Sequence, residues 1–352
     1  MKKRLRVLAL MHDDLVPPET RNGERDQDEL QPWRTEFDVC SALKALGHDV
    51  VKLGVGDDVA AIRDAVRDFQ PHVAFNLLVE FHGAGTYDQH VASYLELLCA
   101  NYTGCNPRGL TLARDKALSK EILAYHRVRV PRFQTFARGR PARRLARLRF
   151  PLFVKSVNEE ASLGISGASL VRDDEALAER VAWLHAQIGT DAIAEEYVEG
   201  RELYVGVLGN TRLQTFPARE LLIENLPEGA PTIATRRVKW DQAYQRKMGV
   251  HTEFAELAEP LARELSRVAR RAYKSLRMSG YGRLDFRLDP EGRLFLLEAN
   301  PNADLARDDD FAQSAAGAKL GYEALIQKLL GLGMSYRADW KEPGRVASAL
   351  LR

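Results

Sequence analysis

Cysteine is scarce in this chain: Cys40, Cys99 and Cys105 are the only three in 352 residues. An odd number at those spacings fits neither a zinc motif nor a disulfide framework, so a reducing cytoplasm is the expected setting. Long apolar runs are lacking as well, and no stretch approaches the roughly 20 residues that cross a bilayer. The basic start MKKRLRVLALMHDD has its apolar segment broken by His12, Asp13 and Asp14, with no small-residue cleavage site behind it. Residues 7–11 therefore read as a buried strand. Charge of one sign is missing too: 51 basic against 49 acidic side chains leave +2. No nucleic acid or anionic membrane is called for as a partner. Six arginines crowd residues 138–149, but without interleaved aromatics they read as a solvated helix face.

What is present is the alternation of a multi-unit α/β and α+β protein. Residues 5–11, 49–53 and 72–77 have strand character, and helical spacing covers 33–46, 59–69 and 87–99. Repeated β–α–β units predict a parallel sheet covered on both faces, Rossmann-like, over 1–113. A polar loop at 14–32 interrupts it. A central unit is expected over 114–191, with a helix at 116–125, strands at 131–136 and 151–155, and a helix at 174–188. The last unit, 192–352, opens on a strand at 192–198 and continues with one at 203–208. Residues 217–252 show weak periodicity and read as an irregular excursion, and 257–276 has the pattern of an amphipathic helix.

The most informative stretch is 283–300. Asp289-Pro-Glu-Gly292 is a turn signal between two alternating runs, which predicts a β-hairpin. A turn centred on Pro290 and Glu291 pairs Leu296 with Asp285 and Glu298 with Arg283. Arg283, Asp285, Glu298 and Asn300 then share one face, with Leu284, Phe286, Phe295 and Leu297 on the other. Asp285 and Glu298 become diagonal neighbours, roughly 7–8 Å apart at Cα. Two carboxylates and an amide oxygen with open positions suit a hard cation such as Mg²⁺, with Mn²⁺ as an alternative.

With this hairpin go three further stretches: Tyr102-Thr-Gly-Cys-Asn-Pro107 leading to Asp115-Lys116, Pro151-Leu-Phe-Val-Lys155 with its following loop, and Ala194-Glu-Glu-Tyr-Val198 with Glu202. Together they resemble the ATP-grasp superfamily, and within it the D-alanine–D-alanine ligases, over about residues 75–330. The resemblance implies an ATP-grasp fold behind a Rossmann-like (pre-ATP-grasp) first domain. It implies ATP bound between the central and last units. Lys116 and Lys155 would hold the α- and β-phosphates, and the loop 158–166 with Ser162 would cover them. Glu195 would accept from the adenine amino group, with the backbones of Glu196 and Val198 on the ring edge. Glu202 would take the ribose, and Phe153, Tyr197 and Leu297 would sandwich the base. Metal would sit on Asp285, Glu298 and Asn300. Lys239 would meet the γ-phosphate, and Arg283 would stabilise an acyl phosphate.

The implied activity joins a small-molecule carboxylate to an amine, and a homodimer follows only by analogy. A nucleotide-binding protein without turnover, or an enzyme that stops at a phosphorylated product, are the alternatives. The pattern departs from the dipeptide-forming relatives after the metal-binding Asn. They carry Ser-Pro-Gly-Met and later Ser-His-Ser, where this chain has Asn300-Pro-Asn302-Ala-Asp304 on to Arg307 and three aspartates. Asn302 and Asp304 become candidate substrate contacts, with the acidic group suited to a cation and Arg307 to a carboxylate. Glu80 and His82 occupy the position of the relatives' His-Gly-x-x-Gly-Glu loop. Glu29 and Glu36 are candidates for a first-domain glutamate that meets a substrate amine. A substrate other than a D-alanine pair is expected.

Overall fold

A computed structural model describes residues 4–19, 32–159, 163–227, 229, 231–338 and 341. The parallel sheet expected at the start forms from β1 (Arg6–Met11), β2 (Asp49–Gly54) and β3 (Val73–Asn76) in the order β2–β1–β3, with Val7 opposite both Val50 and Val73. Helices α1 (Arg34–Ala45) and α2 (Val59–Phe69) connect them. Because both faces are covered, β1 is apolar at every position from Val7 on and fully buried. Asp58 caps α2 by accepting from the Ala60 N–H. Three helices follow: α3 (Asp88–Leu97), α4 (Pro107–Arg114) and α5 (Lys116–Tyr125). Asp115 stops one helix and starts the next, its carboxylate accepting from the N–H groups of Ala117 and Leu118. That cap fixes where Lys116 stands.

The second sheet is antiparallel, built from β4 (Phe133–Phe136), β5 (Leu152–Ser156), β6 (Leu170–Val171) and β7 (Ala192–Glu196) in the order β4–β7–β5–β6, with α6 (Asp174–Gln187) packed on it. The strand at 192–196, expected to open the last unit, instead hydrogen-bonds between β4 and β5. The arginine-rich run does not form the expected helix. It is irregular: Arg144 donates to the Leu148 carbonyl within the run, and Arg138 to the Gly189 carbonyl outside it.

The third sheet holds β8 (Arg201–Leu208), β9 (Gln214–Thr215), β10 (Arg219–Ile223), β11 (Val250–Phe254), β12 (Tyr281–Leu288) and β13 (Leu294–Pro301). Its order is β11–β10–β8–β12–β13, with β9 on β8. The segment 217–252, expected to be irregular, supplies β10, β11 and two short helices, α7 (Arg236–Trp240) and α8 (Gln242–Met248). Strands that expose one face need few apolar residues, so their period is faint. Leu221, Val238 and Tyr204 pack together and anchor the segment to the sheet. Helix α9 (Glu259–Ser275) buries Leu265, Ala269, Ala272 and Tyr273 as its spacing predicts. Helices α10 (Asp310–Gly317) and α11 (Tyr322–Ser335) close the chain, α11 against α1 and β3. No described helix is long and apolar enough to cross a membrane, and all three cysteines are free.

Candidate active site

The β12–β13 hairpin forms, with a correction to its register. Asp289 to Arg293 make the turn, one residue longer than expected. A β-bulge then shifts the pairing between Asp285 and Phe286, which stands opposite Leu296. Two one-residue shifts restore the original parity, so Asp285 lies directly opposite Glu298 and Arg283 directly opposite Asn300. The polar face survives with its members closer than the diagonal spacing expected. The apolar face changes: Leu284, Phe286, Leu296 and Ala299 are buried in the core, while Phe295 and Leu297 are not. Leu297 is the bulged residue, and its side chain turns into the cleft beside Glu298.

That cleft lies between the second and third sheets. Its walls include Lys116, Phe153, Lys155, Glu195, Glu196, Tyr197, Val198, Glu202, Lys239, Asp285, Leu297 and Glu298. Nearly all the residues expected around a nucleotide are thus brought to one place, from strands and helices far apart in the chain. Ser162 lies outside the described residues. Lys116 donates to the carbonyl of Glu159 at the start of the loop. Glu202 does not stand alone: Arg287 donates to it at 2.8 Å and Tyr204 at 3.0 Å. The Arg287 guanidinium also lies 5.5 Å from the Tyr197 ring centre. The Glu196 carboxylate faces away from the ring-edge position, accepting from the Arg149 N–H.

Sequence reasoning missed two residues, Arg287 in the wall of this cleft and Lys120, which contacts the wall residues Leu297 and Glu195. Lys120 is 1% exposed, donates to the carbonyl of the bulged Leu297, and lies 3.1 Å from Glu195. Its signal was helical phase, since Lys116, Ser119, Lys120 and Leu123 form one buried lane of α5. Arg287 was legible from strand alternation, being two residues beyond Asp285. Lys155 completes a buried triad at 3.3 Å from Glu195 and reaches within 3.9 Å of Glu298. Burial lowers the Lys120 ammonium to about 8 despite Glu195. At Lys155, Glu195 and Glu298 outweigh burial and its pKa rises. Burial pushes Glu195 up, but Lys120 and Lys155 together hold it below the ordinary value.

The hairpin carboxylates are pulled in opposite directions. Burial raises Asp285 against the pull of Arg283, and Glu298 raises it further. Glu298 is half-buried, and desolvation pushes its pKa up, yet Lys116, Lys155, Lys239 and Lys120 hold it well below the usual carboxylate range. Arg283 grips Asp285 with two hydrogen bonds, 2.8 and 3.0 Å, and stacks 4.6 Å from the Tyr204 ring centre. Asn300 donates its amide N–H to Asp285 at 3.0 Å, which leaves the amide oxygen for a cation. Two facing carboxylates, one destabilised as an anion, with a neutral oxygen beside them, fit a divalent metal.

A larger cavity continues from this hairpin towards the first unit. Lys239, Arg283, Glu298, Asn300, Asn302 and Asp304 line it, as do Glu36 and Asp308 to Asp310. Asn302 spends its side-chain oxygen on the N–H of Cys105 at 2.7 Å. The other expected substrate contacts are not among the lining residues. Glu80 is 3.8 Å from His12, and the His82 N–H donates to the Gly56 carbonyl. Arg307 is turned to Glu323 at 2.7 Å and stacks on Tyr322. Of the two glutamates weighed for a substrate amine, Glu29 lies outside the described residues and Glu36 lines the cavity at 5% exposure.

Burial, with Asp304 adding to it, raises the Glu36 carboxyl to about 7. The raised folded value means that the native state holds this proton between the unfolded pKa near 4.5 and about 7. Its contribution therefore erodes stability as pH rises through that window, reaching about 3 kcal/mol above it. Glu36→Gln is expected to raise the urea midpoint at pH 8 and leave it nearly unchanged at pH 4.5. Equal effects at both pH values would show that the buried proton is not there.

A family model described as the C-terminus of D-Ala–D-Ala ligase matches residues 121–331, more than half of the chain. The chain belongs to the D-alanine–D-alanine ligase family. The D-alanine–D-alanine ligase of Nitratidesulfovibrio vulgaris (strain DP4) is 32% identical over 316 residues, covering 86% of this chain and 96% of that protein. An uncharacterised protein of Sinorhizobium fredii, y4sG, is 28% identical over 337 residues, 93% of this chain and 96% of its own. Among solved structures, the Bacillus anthracis D-alanine–D-alanine ligase in complex with ATP aligns with a TM-score of 0.70 at 18% identity, over 94% of this chain and 97% of that one. VanG D-Ala:D-Ser ligase from Enterococcus faecalis gives 0.68 at 17%, over 94% and 100%. The fold is the ATP-grasp fold of this family, as the hairpin, the stretches carrying Lys116 and Lys155 and the strand 194–198 implied.

Proposed function

We propose that this family member is an ATP-dependent carboxylate–amine ligase that forms an amide through an acyl phosphate, on amino-acid-like substrates other than a D-alanine pair. The observation that carries the reading is the convergence of Lys116, Lys155, Lys239, Asp285 and Glu298 on one cleft, opening beside Arg283 into a second cavity large enough for two further substrates. A carboxylate is a poor acyl donor because oxide would have to leave. Attack of its oxygen on the γ-phosphorus releases ADP and leaves phosphate as the leaving group. Such transfer is catalysed by positioning and charge neutralisation. Lys116 and Lys155 would bind the α- and β-phosphates, and Lys239 would neutralise charge on the γ-phosphoryl group. Asp285, Glu298 and Asn300 would hold Mg²⁺ or Mn²⁺, which would neutralise the phosphate oxygens. Arg283 is permanently charged and stands at the junction of the two cavities, where it can stabilise the oxyanion formed as the amine nitrogen attacks the acyl carbon. Phosphate then leaves, and the nitrogen loses its proton.

Two observations support a substrate other than paired D-alanine. Arg307, the residue suited to an acceptor carboxylate, is turned away from the cavity to Glu323. One structural relative is a D-Ala:D-Ser ligase, so the fold serves more than one acceptor. Purified protein with Mg-ATP and pooled amino acids and dipeptides is expected to release phosphate only with two substrates present. The product should be a condensed mass, and D-alanine alone should give at least tenfold less. Tight nucleotide binding with no phosphate release across the pools would sink the ligase reading.

A further inference from the structure

We infer that Arg287 is a positioning residue that ties the ribose side of the cleft to the segment carrying Lys239, and so sets Lys239 for the γ-phosphoryl group. The γ-phosphate role of Lys239 rests on the ligase reading; the tether rests on geometry alone. Arg287 stands on β12 two residues beyond Asp285, lines the cleft and is 4% exposed. A guanidinium offers five N–H donors and no acceptor, so burying it requires oxygen partners around its edge. Arg287 finds them in two parts of the chain. It donates at 2.9 Å to the carbonyl of Gly200, just before β8, and at 2.8 Å to the carboxylate of Glu202, within that strand. Its third acceptor is the carbonyl of Thr232, in the excursion between β10 and β11.

Thr232 immediately precedes the part of that excursion that lines the cleft, namely Ile233, Ala234 and Lys239. Its carbonyl also accepts from the Tyr197 hydroxyl, at 3.3 Å. From there the path to Lys239 is short and constrained. Thr235 caps α7, accepting from the Val238 N–H, and Val238 packs with Leu221 and Tyr204. The Arg236 N–H donates at 3.3 Å to the carbonyl of Ile165, on the loop implied to cover the phosphates. The Lys239 N–H donates to the Thr235 carbonyl at 3.1 Å. A shift of Thr232 is therefore carried to Lys239, and about 1 Å is enough to spoil a transition-state contact. On its other side Arg287 touches the groups expected to meet the nucleoside, Glu202 and the Tyr197 ring. Seating of the nucleoside and placement of Lys239 thus share one guanidinium.

The test titrates the full chain and Mg²⁺ calorimetrically with ADP and with a non-hydrolysable ATP analogue, and reads the ratio of the two affinities. That ratio isolates the γ-phosphate end, since a loss at the base or ribose weakens both nucleotides alike. Lys239→Ala is expected to lower the ratio about tenfold, the scale of one charge-assisted hydrogen bond. Arg287→Lys keeps a charge beside Glu202 but cannot hold three acceptors in one plane, and should lower the ratio about threefold or more. With Lys239 already replaced by alanine, the same change at Arg287 should leave the ratio unmoved. Equal weakening of both nucleotides by Arg287→Lys, or an equal drop in the ratio with and without Lys239, would overturn the inference. So would a Lys239→Ala ratio equal to the parent's. If circular dichroism shows Arg287→Lys unfolded, Tyr197→Phe, which removes the other donor to Thr232, decides instead: a lowered ratio supports the tether and an unmoved one ends it. Two-substrate phosphate release separates this claim from the ligase. Turnover with an unmoved ratio in Arg287→Lys would leave the ligase without the tether, while a Lys239-dependent drop without turnover would do the reverse.

Discussion

Replacing Glu298 by glutamine is expected to lower phosphate release by roughly a thousandfold, the scale of removing one preorganised charge-stabilising group, with the fold retained. The size follows from its position. Glu298 faces Asp285 across β12 and β13 and is the hairpin acid that four lysines keep ionised, so towards a cation it would be the stronger anion of the pair. Glutamine keeps the shape and the strand pairing but not the charge. The sign for stability is also set: a depressed carboxylate contributes stability above its unfolded pKa and loses it as pH falls through the folded one. The variant should therefore be slightly less stable at neutral pH and equal to the parent in strong acid. Circular dichroism with phosphate-release kinetics checks both. Undiminished turnover would remove the metal assignment.

The second large effect is on stability. Glu195 is 3% exposed and lies between Lys120 and Lys155 at 3.1 and 3.3 Å. Glu195→Gln leaves buried Lys120 without its adjacent counter-charge and Lys155 with only Glu298, 3.9 Å away, and breaking a buried pair typically costs about 3–5 kcal/mol. The urea midpoint should fall accordingly at pH 7. Glu195 is depressed, so the deficit should shrink as pH falls through its folded pKa, where the parent loses the same charge. Adding Lys120→Met should recover part of the loss, because Lys120 is the ammonium that burial already lowers to about 8. An unchanged midpoint in the single variant would mean that this triad is hydrated and energetically minor.

Much of this site was legible in residue order because its signals are local. Alternation along a strand fixes which side chains share a face, so Arg283, Asp285, Glu298 and Asn300 were grouped correctly despite the wrong register. The register itself was not legible. A bulge is set by how a strand must curve against its neighbours, and nothing in Leu296-Leu297-Glu298 marks it. Lys120 escaped for a related reason: its partner is a carbonyl exposed by that bulge. The strands β10 and β11 were missed because one-sided burial leaves little apolar period, and pairing across two intervening helices is non-local.

The substrate end divides most clearly. Residue order determined the family, the hairpin, the stretches that carry Lys116 and Lys155 and the presence of an acidic run after Asn300, because each depends on neighbours within one strand, helix or turn. Tertiary structure alone decided that Glu36 and Asp304 line one cavity, that Arg307 turns to Glu323, and that Glu80 and His82 stand outside the cavity wall. Those placements depend on how the first unit packs on the third. Packing acts between side chains far apart in the chain, where no periodicity carries the information.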